Sequence, residues 1–470
     1  MEHYGWISMV PALCVLSVAL ITKRTIESLI FGSIIGFIIL EKQHFFSAFV
    51  DSSLSVMGDP TIGWIILVIL SFGGLIALLV KSGGALAFGE FVSSKVKTKK
   101  GALLITWVMG IVIFLDDYLN ALTVSTSMQK ITDKHRTSRE FLAYVVDSTA
   151  APVCVLIPLS TWTFYVSGLF EDLGLAASGN GSVTYVTVIP FILYGWVALF
   201  IVLLAIFGII PKLGPMKIAE KRAEEMGICL PEGSKDSSIV DVDVAASVET
   251  DAQDSSLNGN QQKKVKPKLI NFFVPIGVLI FYTWYSGIDV LQGVLVALIV
   301  MIIMLVFQRL MSLGDLFDTF FEGFKPMIYP LGIVVSSFIL VDVNSSLGLT
   351  EYVIETIKPF MSPGLLPVVS FLAMALVAFA TGSFWGVYAI TLPIIIPLAE
   401  AMGTNIWLAV GAVLSAGAFG SHACPYGDTT VLSASGSGID AITHVITQAP
   451  YVLLSGCITA IGYLVLGFII

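Results

Sequence analysis

The sequence predicts an all-α polytopic membrane protein, an inverted repeat of two five-helix halves, each with a re-entrant hairpin and a broken transmembrane helix. Three observations predict it. Of the 470 residues only 12% are charged and 56% are apolar, with a mean hydropathy of +0.92, far from the quarter charged of soluble domains. The apolar residues fall into runs of about 17 to 25, the length with which a helix crosses roughly 30 Å of hydrocarbon. One long polar segment then splits these runs into two matching series.

The first series has spans near 6–22, 25–40, 61–80, 139–165 and 185–210. The first run follows Glu2 and His3, without the basic start and small-residue cleavage pattern of a signal peptide, and reads as a retained helix. The second series has spans near 268–285, 290–307, 327–345, 405–436 and 441–470. Residues 1–211 are therefore the first half, 212–267 a cytoplasmic flexible linker, and 268–470 the second half. Gly233 to Gln262 hold almost no aromatics or long apolar runs, the composition of a disordered segment.

Two further apolar stretches, Gly101 to Ile131 and Gly364 to Ala399, are too long for one crossing and are interrupted midway by polar residues. Charge counting makes both re-entrant hairpins, because Lys and Arg of short loops stay on the cytoplasmic side. If Gly101 to Ile131 returns to the side it entered, Lys95, Lys97, Lys99 and Lys100 share that side with Lys130, Lys134, Arg136 and Arg139. All of the 24 Lys and Arg residues except Lys42 and Lys358 are then cytoplasmic, with both termini external. Five crossings per half is an odd number, so the second half enters the bilayer in the opposite sense.

Backbone that leaves the helix at membrane depth is tolerated only where protein buries it or where it lines a watery cavity. The sequence marks four such places: the tips at 116–120 and 381–386, and the breaks at 147–152 and 421–430. Pro152 and Pro425 each remove a helical hydrogen bond, and Gly382, Gly386 and Gly427 permit other dihedrals. The carbonyls so freed are candidate ligands. The breaks share a tripeptide type, Asp147-Ser148-Thr149 and Asp428-Thr429-Thr430. Carboxylates beside hydroxyls and carbonyls suit a hard monovalent cation, and sodium is expected at Asp147, Thr149, Asp428 and Thr430.

An acidic residue inside a span costs at least a few kcal/mol, which makes Asp116, Asp117, Asp147 and Asp428 functional candidates. The competing reading is a structural carboxylate capping a half-helix. Asn120, Ser148, Thr149, Thr381, Ser383, Thr429 and Thr430 would add neutral oxygens. His422 is either a proton carrier or a buried histidine bonded to a carbonyl. Trp162, Trp385 and Tyr426 either wall an organic substrate or serve as packing. Five scattered cysteines fit neither a metal spacing nor a disulfide framework, and nothing favours nucleic acid.

The strings IFLDDYLNALTV, REFLAYVVDSTAAPVCVLIP, ATGSFWGVYAITLPIIIPLA and GSHACPYGDTTVLSAS resemble the NhaC-type sodium/proton antiporters of the ion transporter superfamily. The likeness covers most of the chain outside the linker. It implies a bacterial inner-membrane transporter, often a homodimer, with the site at the hairpin tips and breaks and an elevator-like motion. His-Ala-Cys-Pro-Tyr-Gly-Asp departs from the His-Cys-Ser-Pro-Ile-Ser-Asp common among the exchangers, at Cys424 and Tyr426 among others, which keeps an organic substrate in play.

The expected activity is thus sodium/proton antiport, with sodium as substrate or coupling ion, no other cofactor, and membrane lipid as the surrounding partner. The alternative is sodium-coupled transport of a small organic solute such as an amino acid or organic acid. A channel would need a continuous polar pore. An enzyme would need a catalytic constellation at one depth, which the motifs do not supply.

Overall fold

The computed structural model describes residues 3–470 apart from 23, 85–86, 89–90, 92–95, 178, 232–267, 287–288, 382–383 and 426. Most of the expected linker thus lies outside the described residues. All regular structure among the described residues is helical. The first half opens with α1 (Val10–Thr22), α2 (Thr25–Glu41), α3 (Phe45–Met57) and α4 (Pro60–Lys81). Among these only α3 was not foreseen as an element. Next come α5 (Lys99–Val112) and α6 (Asp117–Lys134), which pack on each other around the tip at 113–116.

The first interrupted helix is α7 (Arg139–Asp147) followed by the single turn α8 (Ala151–Cys154), then α9 (Thr161–Asp172). The expected span 139–165 is therefore cut twice and runs on to Asp172. The chain continues through α10 (Gly181–Val188) and α11 (Leu193–Phe207), with a 3-10 turn at Ile189–Phe191 between them. Pro190 lies in that turn, where a missing N–H breaks the helix, and the pair Gly181–Phe191 and Leu193–Phe207 is bent by 54°. Helix α12 (Gly214–Met226) occupies the start of the segment expected to be a linker.

The second half holds α13 (Ile270–Tyr285), α14 (Val290–Phe307), α15 (Leu313–Glu322), α16 (Ile328–Ser346) and α17 (Leu349–Ile357). The second hairpin is α18 (Leu366–Thr381) with α19 (Phe384–Met402). The second interrupted helix is α20 (Ile406–Ala423) and α21 (Asp428–Gly436), and α22 (Ala441–Ile469) ends the chain. By length and composition six described helices can cross a membrane, or seven if the bent pair is one span; five of the six are expected crossings, and the sixth is α19, an arm of the expected second hairpin. The remaining expected crossings are shorter apolar helices or interrupted ones, so the chain is a multi-pass membrane protein.

Hairpin followed by interrupted helix recurs in both halves. The interrupted helices run antiparallel, since α7 packs on α21 and α8 on α20. Small residues allow close approach elsewhere: a Cβ on Gly73 of α4 would collide with the carbonyl of Gly323, and one on Gly323 with that of Gly73. Two apolar clusters meet at the first break, where Ala150 and Val153 belong to one and Ala151 and Cys154 to the other.

Candidate functional site

Helix α7 stops because Pro152, two positions into α8, cannot donate a backbone hydrogen bond, and Ala150 leaves the helical region at φ −88°, ψ −92°. The break leaves Asp147, Ser148 and Thr149 fully buried. Asp147 Oδ2 is the hub of the site. It accepts from His444 Nε2 at 3.1 Å and Gln448 Nε2 at 2.8 Å, and Thr430 Oγ1 lies 3.1 Å from it. Asp147 Oδ1 meets no hydrogen-bond partner among the described residues.

The second break is tied into the same hub. Thr430 Oγ1 also lies 2.8 Å from the carbonyl of Ser421, and Gln448 Nε2 gives its other hydrogen to the carbonyl of His422 at 2.8 Å. The hydroxyls of Thr429 and Ser421 pair at 2.9 Å. Carbonyls at the end of α20 thus accept from side chains, where the sequence offered them as ion ligands. His422 is buried with Nδ1 2.9 Å from the Tyr194 hydroxyl and Nε2 3.3 Å from Ser148 Oγ. Of the two readings of His422, the ring is held by hydroxyls rather than by a carbonyl.

At the first hairpin tip Asp116 caps α6, its Oδ1 accepting from the backbone N–H groups of Tyr118 and Leu119, both at 3.0 Å. Its Oδ2 is 3.3 Å from Thr161 Oγ1. Asp117 is buried beside it, and both carboxylates line a small crevice with Ile69, Tyr118, Thr161, Met327 and Trp385. Trp385 brings the second hairpin to the first. It also sits in an aromatic cluster, with Tyr165 at 4.9 Å and Trp162 at 6.2 Å between ring centroids.

Asn120 joins tip to break. Its Nδ2 faces the carbonyls of Gly110 at 2.5 Å, Ile113 at 3.0 Å and Thr149 at 2.9 Å, and its two hydrogens are shared among these acceptors at the end of α5 and in the break. Thr149 Oγ1 lies 3.0 Å from both the Val145 and the Val146 carbonyls, so it bonds back into its own helix. Gly110 is the floor beneath it, where a Cβ would collide with Thr149 Oγ1.

The expected site residues therefore fall into two neighbouring groups. Asp147, Ser148, His422, Thr429 and Thr430 gather at the crossed breaks, while Asp116, Asp117 and Trp385 gather at the tips, with Asn120 and Thr149 between. Of the expected sodium set, Thr430 meets Asp147 and Thr149 does not. Ser383 and Tyr426 lie outside the described residues, as do the side chains of Thr381 and Asp428. Among the described residues no three His, Cys, Asp or Glu side chains cluster as a metal site.

His444, Gln448 and Tyr194 were missed by sequence reasoning. A signal existed for the first two: His444 and Gln448 stand four apart, on one face of the otherwise apolar α22.

The N-terminal end of α7 is clamped by α12. Ser138 donates through N and Oγ to Glu220 Oε1, each at 2.9 Å, and Arg222 Nη2 reaches both oxygens of Glu140 at 2.9 Å. Lys212 Nζ lies 3.2 Å from the centroid of the Phe141 ring. Burial pushes the Lys212 ammonium down to about 8, against the pull of Glu220.

Comparison with known proteins agrees with this architecture. A Haemophilus influenzae protein described as uncharacterized is 29% identical over 486 aligned positions, covering 98% of this chain and 91% of its own. The malate-2H(+)/Na(+)-lactate antiporter of Bacillus subtilis is 27% identical over 195 residues, 42% of this chain and 38% of that one. The crystal structure of the Alcanivorax borkumensis YdaH transporter shares the fold, with a TM-score of 0.59 at 12% identity over 91% of this chain and 89% of that one. The sequence profile of one transporter family matches residues 154–468, which hold α9, the second hairpin, the second break and α22. With its paired hairpins and crossed, carboxylate-bearing breaks, this multi-pass membrane transporter belongs to the Na+/H+ antiporter family.

Proposed function

We propose that the protein exchanges sodium for protons, with Asp147 as the carboxylate that the two ions share. The observation that carries this reading is the uneven environment of Asp147, a fully buried side chain with two N–H donors and the Thr430 hydroxyl around Oδ2 and no hydrogen-bond partner on Oδ1 among the described residues. An ionised carboxylate with an unsatisfied oxygen is costly in a low-dielectric interior. A sodium ion or a proton at Oδ1 removes that cost, and one excludes the other. Coupled exchange follows if the site turns from one side of the membrane to the other only when Oδ1 is occupied.

In this reading the hairpins and breaks move together past the remaining helices in an elevator-like alternating access. The protein works in the bacterial plasma membrane as a homodimer, with residues 212–267 as a cytoplasmic linker between the halves. Purified protein in proteoliposomes tests it. Sodium added outside a vesicle loaded at low internal pH should dissipate the pH gradient with no organic solute present, and Asp147→Asn should abolish this.

A second reading is favoured by the crevice at the tips, where Asp116 and Asp117 face Trp385 and Tyr118. Carboxylates beside aromatics suit an ammonium-bearing solute. The relatives' names support an organic substrate as well: the Bacillus subtilis protein is a malate/lactate antiporter, and an arginine/ornithine antiporter of Halobacterium salinarum is 27% identical over 158 residues. If only an added amino or organic acid elicits sodium flux, this reading replaces the first.

A further inference from the structure

We propose that His444 and Gln448 of α22 are positioning residues of the cation site, holding Asp147 by Oδ2 so that Oδ1 alone meets the ion. The inference rests on the reading of Asp147 as the ion carrier and adds two residues outside both interrupted helices. Both side chains are fully buried and reach the same oxygen, at 3.1 and 2.8 Å. Because they stand one turn apart on α22, which packs on α7, a single rigid face presents two donors to one acceptor.

The amide of Gln448 cannot be turned end for end. Its Nε2 serves two acceptors, Asp147 Oδ2 and the His422 carbonyl, and an oxygen there would face both without a hydrogen. His444 likewise needs its proton on Nε2 to donate. These two N–H groups, with Thr430 Oγ1 3.1 Å away, surround one oxygen, which restrains rotation of the carboxylate about its Cβ–Cγ bond. A carboxylate so held offers one oxygen, the geometry for a small monovalent ion, whereas a freely turning one could chelate through both. Gln448 also ties Asp147 to the last turn of α20, so its loss frees the carboxylate while leaving the charge in place.

The test is sodium/proton exchange by full-length protein in proteoliposomes, read as sodium KM and Vmax and as the ratio of lithium to sodium KM. Gln448→Leu and His444→Leu should each raise the sodium KM about tenfold, the worth of one hydrogen bond to a charged group, with Vmax within about twofold. The lithium-to-sodium ratio should change as well, which a general loss of stability would not produce. His444→Gln, which restores an N–H donor at similar reach, should return the KM to within about threefold of the parent.

If a leucine variant fails to accumulate, His444→Asn and Gln448→Ser, polar but too short to reach Oδ2, carry the same expectation. Unchanged KM and ion ratio in these variants, with exchange still lost in Asp147→Asn, overturns the positioning role alone. Exchange that survives in Asp147→Asn overturns the ion-carrier reading and this inference with it.

Discussion

Thr430 Oγ1 lies 3.1 Å from Asp147 Oδ2, joining the second half's Asp-Thr-Thr to the first half's Asp-Ser-Thr. The two tripeptides are 281 positions apart, from Asp147 to Asp428, yet the antiparallel crossing of their helices makes them neighbours. Replacing Thr430 with Val keeps the shape and removes the hydroxyl. The expected result is a sodium KM raised about tenfold with the protein still folded, measured by exchange in proteoliposomes and by thermal unfolding in detergent.

Asn120 leads to a prediction about stability. The two hydrogens of its amide are shared among the carbonyls of Gly110, Ile113 and Thr149 in a buried setting. Asn120→Leu keeps the volume and strands those acceptors, at a cost of about 3 kcal/mol. Thermal unfolding in detergent should show a clear drop, and unfolding like the parent's would mean that the tip is held by other contacts.

Gly110→Ala tests the fit between hairpin and break. The new methyl would meet Thr149 Oγ1, pushing the break away from α5 at a cost of about 1 to 3 kcal/mol. The double variant Gly110→Ala with Thr149→Gly, which removes the Oγ1 and Cβ that the new methyl meets, should recover part of the lost stability, as read by thermal unfolding in detergent.

Lys212 predicts a pH dependence of stability. Its folded value of about 8 lies below the ordinary 10.5, so between these pH values the unfolded chain binds more protons than the folded one. Stability contributed by this group therefore rises as pH goes from about 8 toward 10.5 and is flat below. Lys212→Met should remove that rise while leaving the Glu140–Arg222 pair in place, as followed by denaturant unfolding across this range.

Helix propensity, hydrophobic length and backbone chemistry are local properties, and the sequence carried them in full. The apolar runs marked the spans, Pro152 and the Pro425–Gly427 stretch marked the breaks, and Asp116 to Asn120 marked the tip of the first hairpin. The choice between Asp116 as ion ligand and Asp116 as helix cap was not local, because it depends on which backbone N–H groups the turn aims at the carboxylate. The second cut, between Cys154 and Thr161, and the helix at 214–226 also escaped, and that helix is held by Glu140 as much as by its own composition.

What the sequence by itself determined is where the helix must end and which oxygen-bearing residues lie at those ends. Only the tertiary structure decided which of them meet. Asp147 finds Thr430, His444 and Gln448 about 300 residues downstream because the two interrupted helices pack on each other and against α22. Pairing at that distance leaves no period or spacing in the chain to be read, since a hydrogen bond depends on position in space and direction.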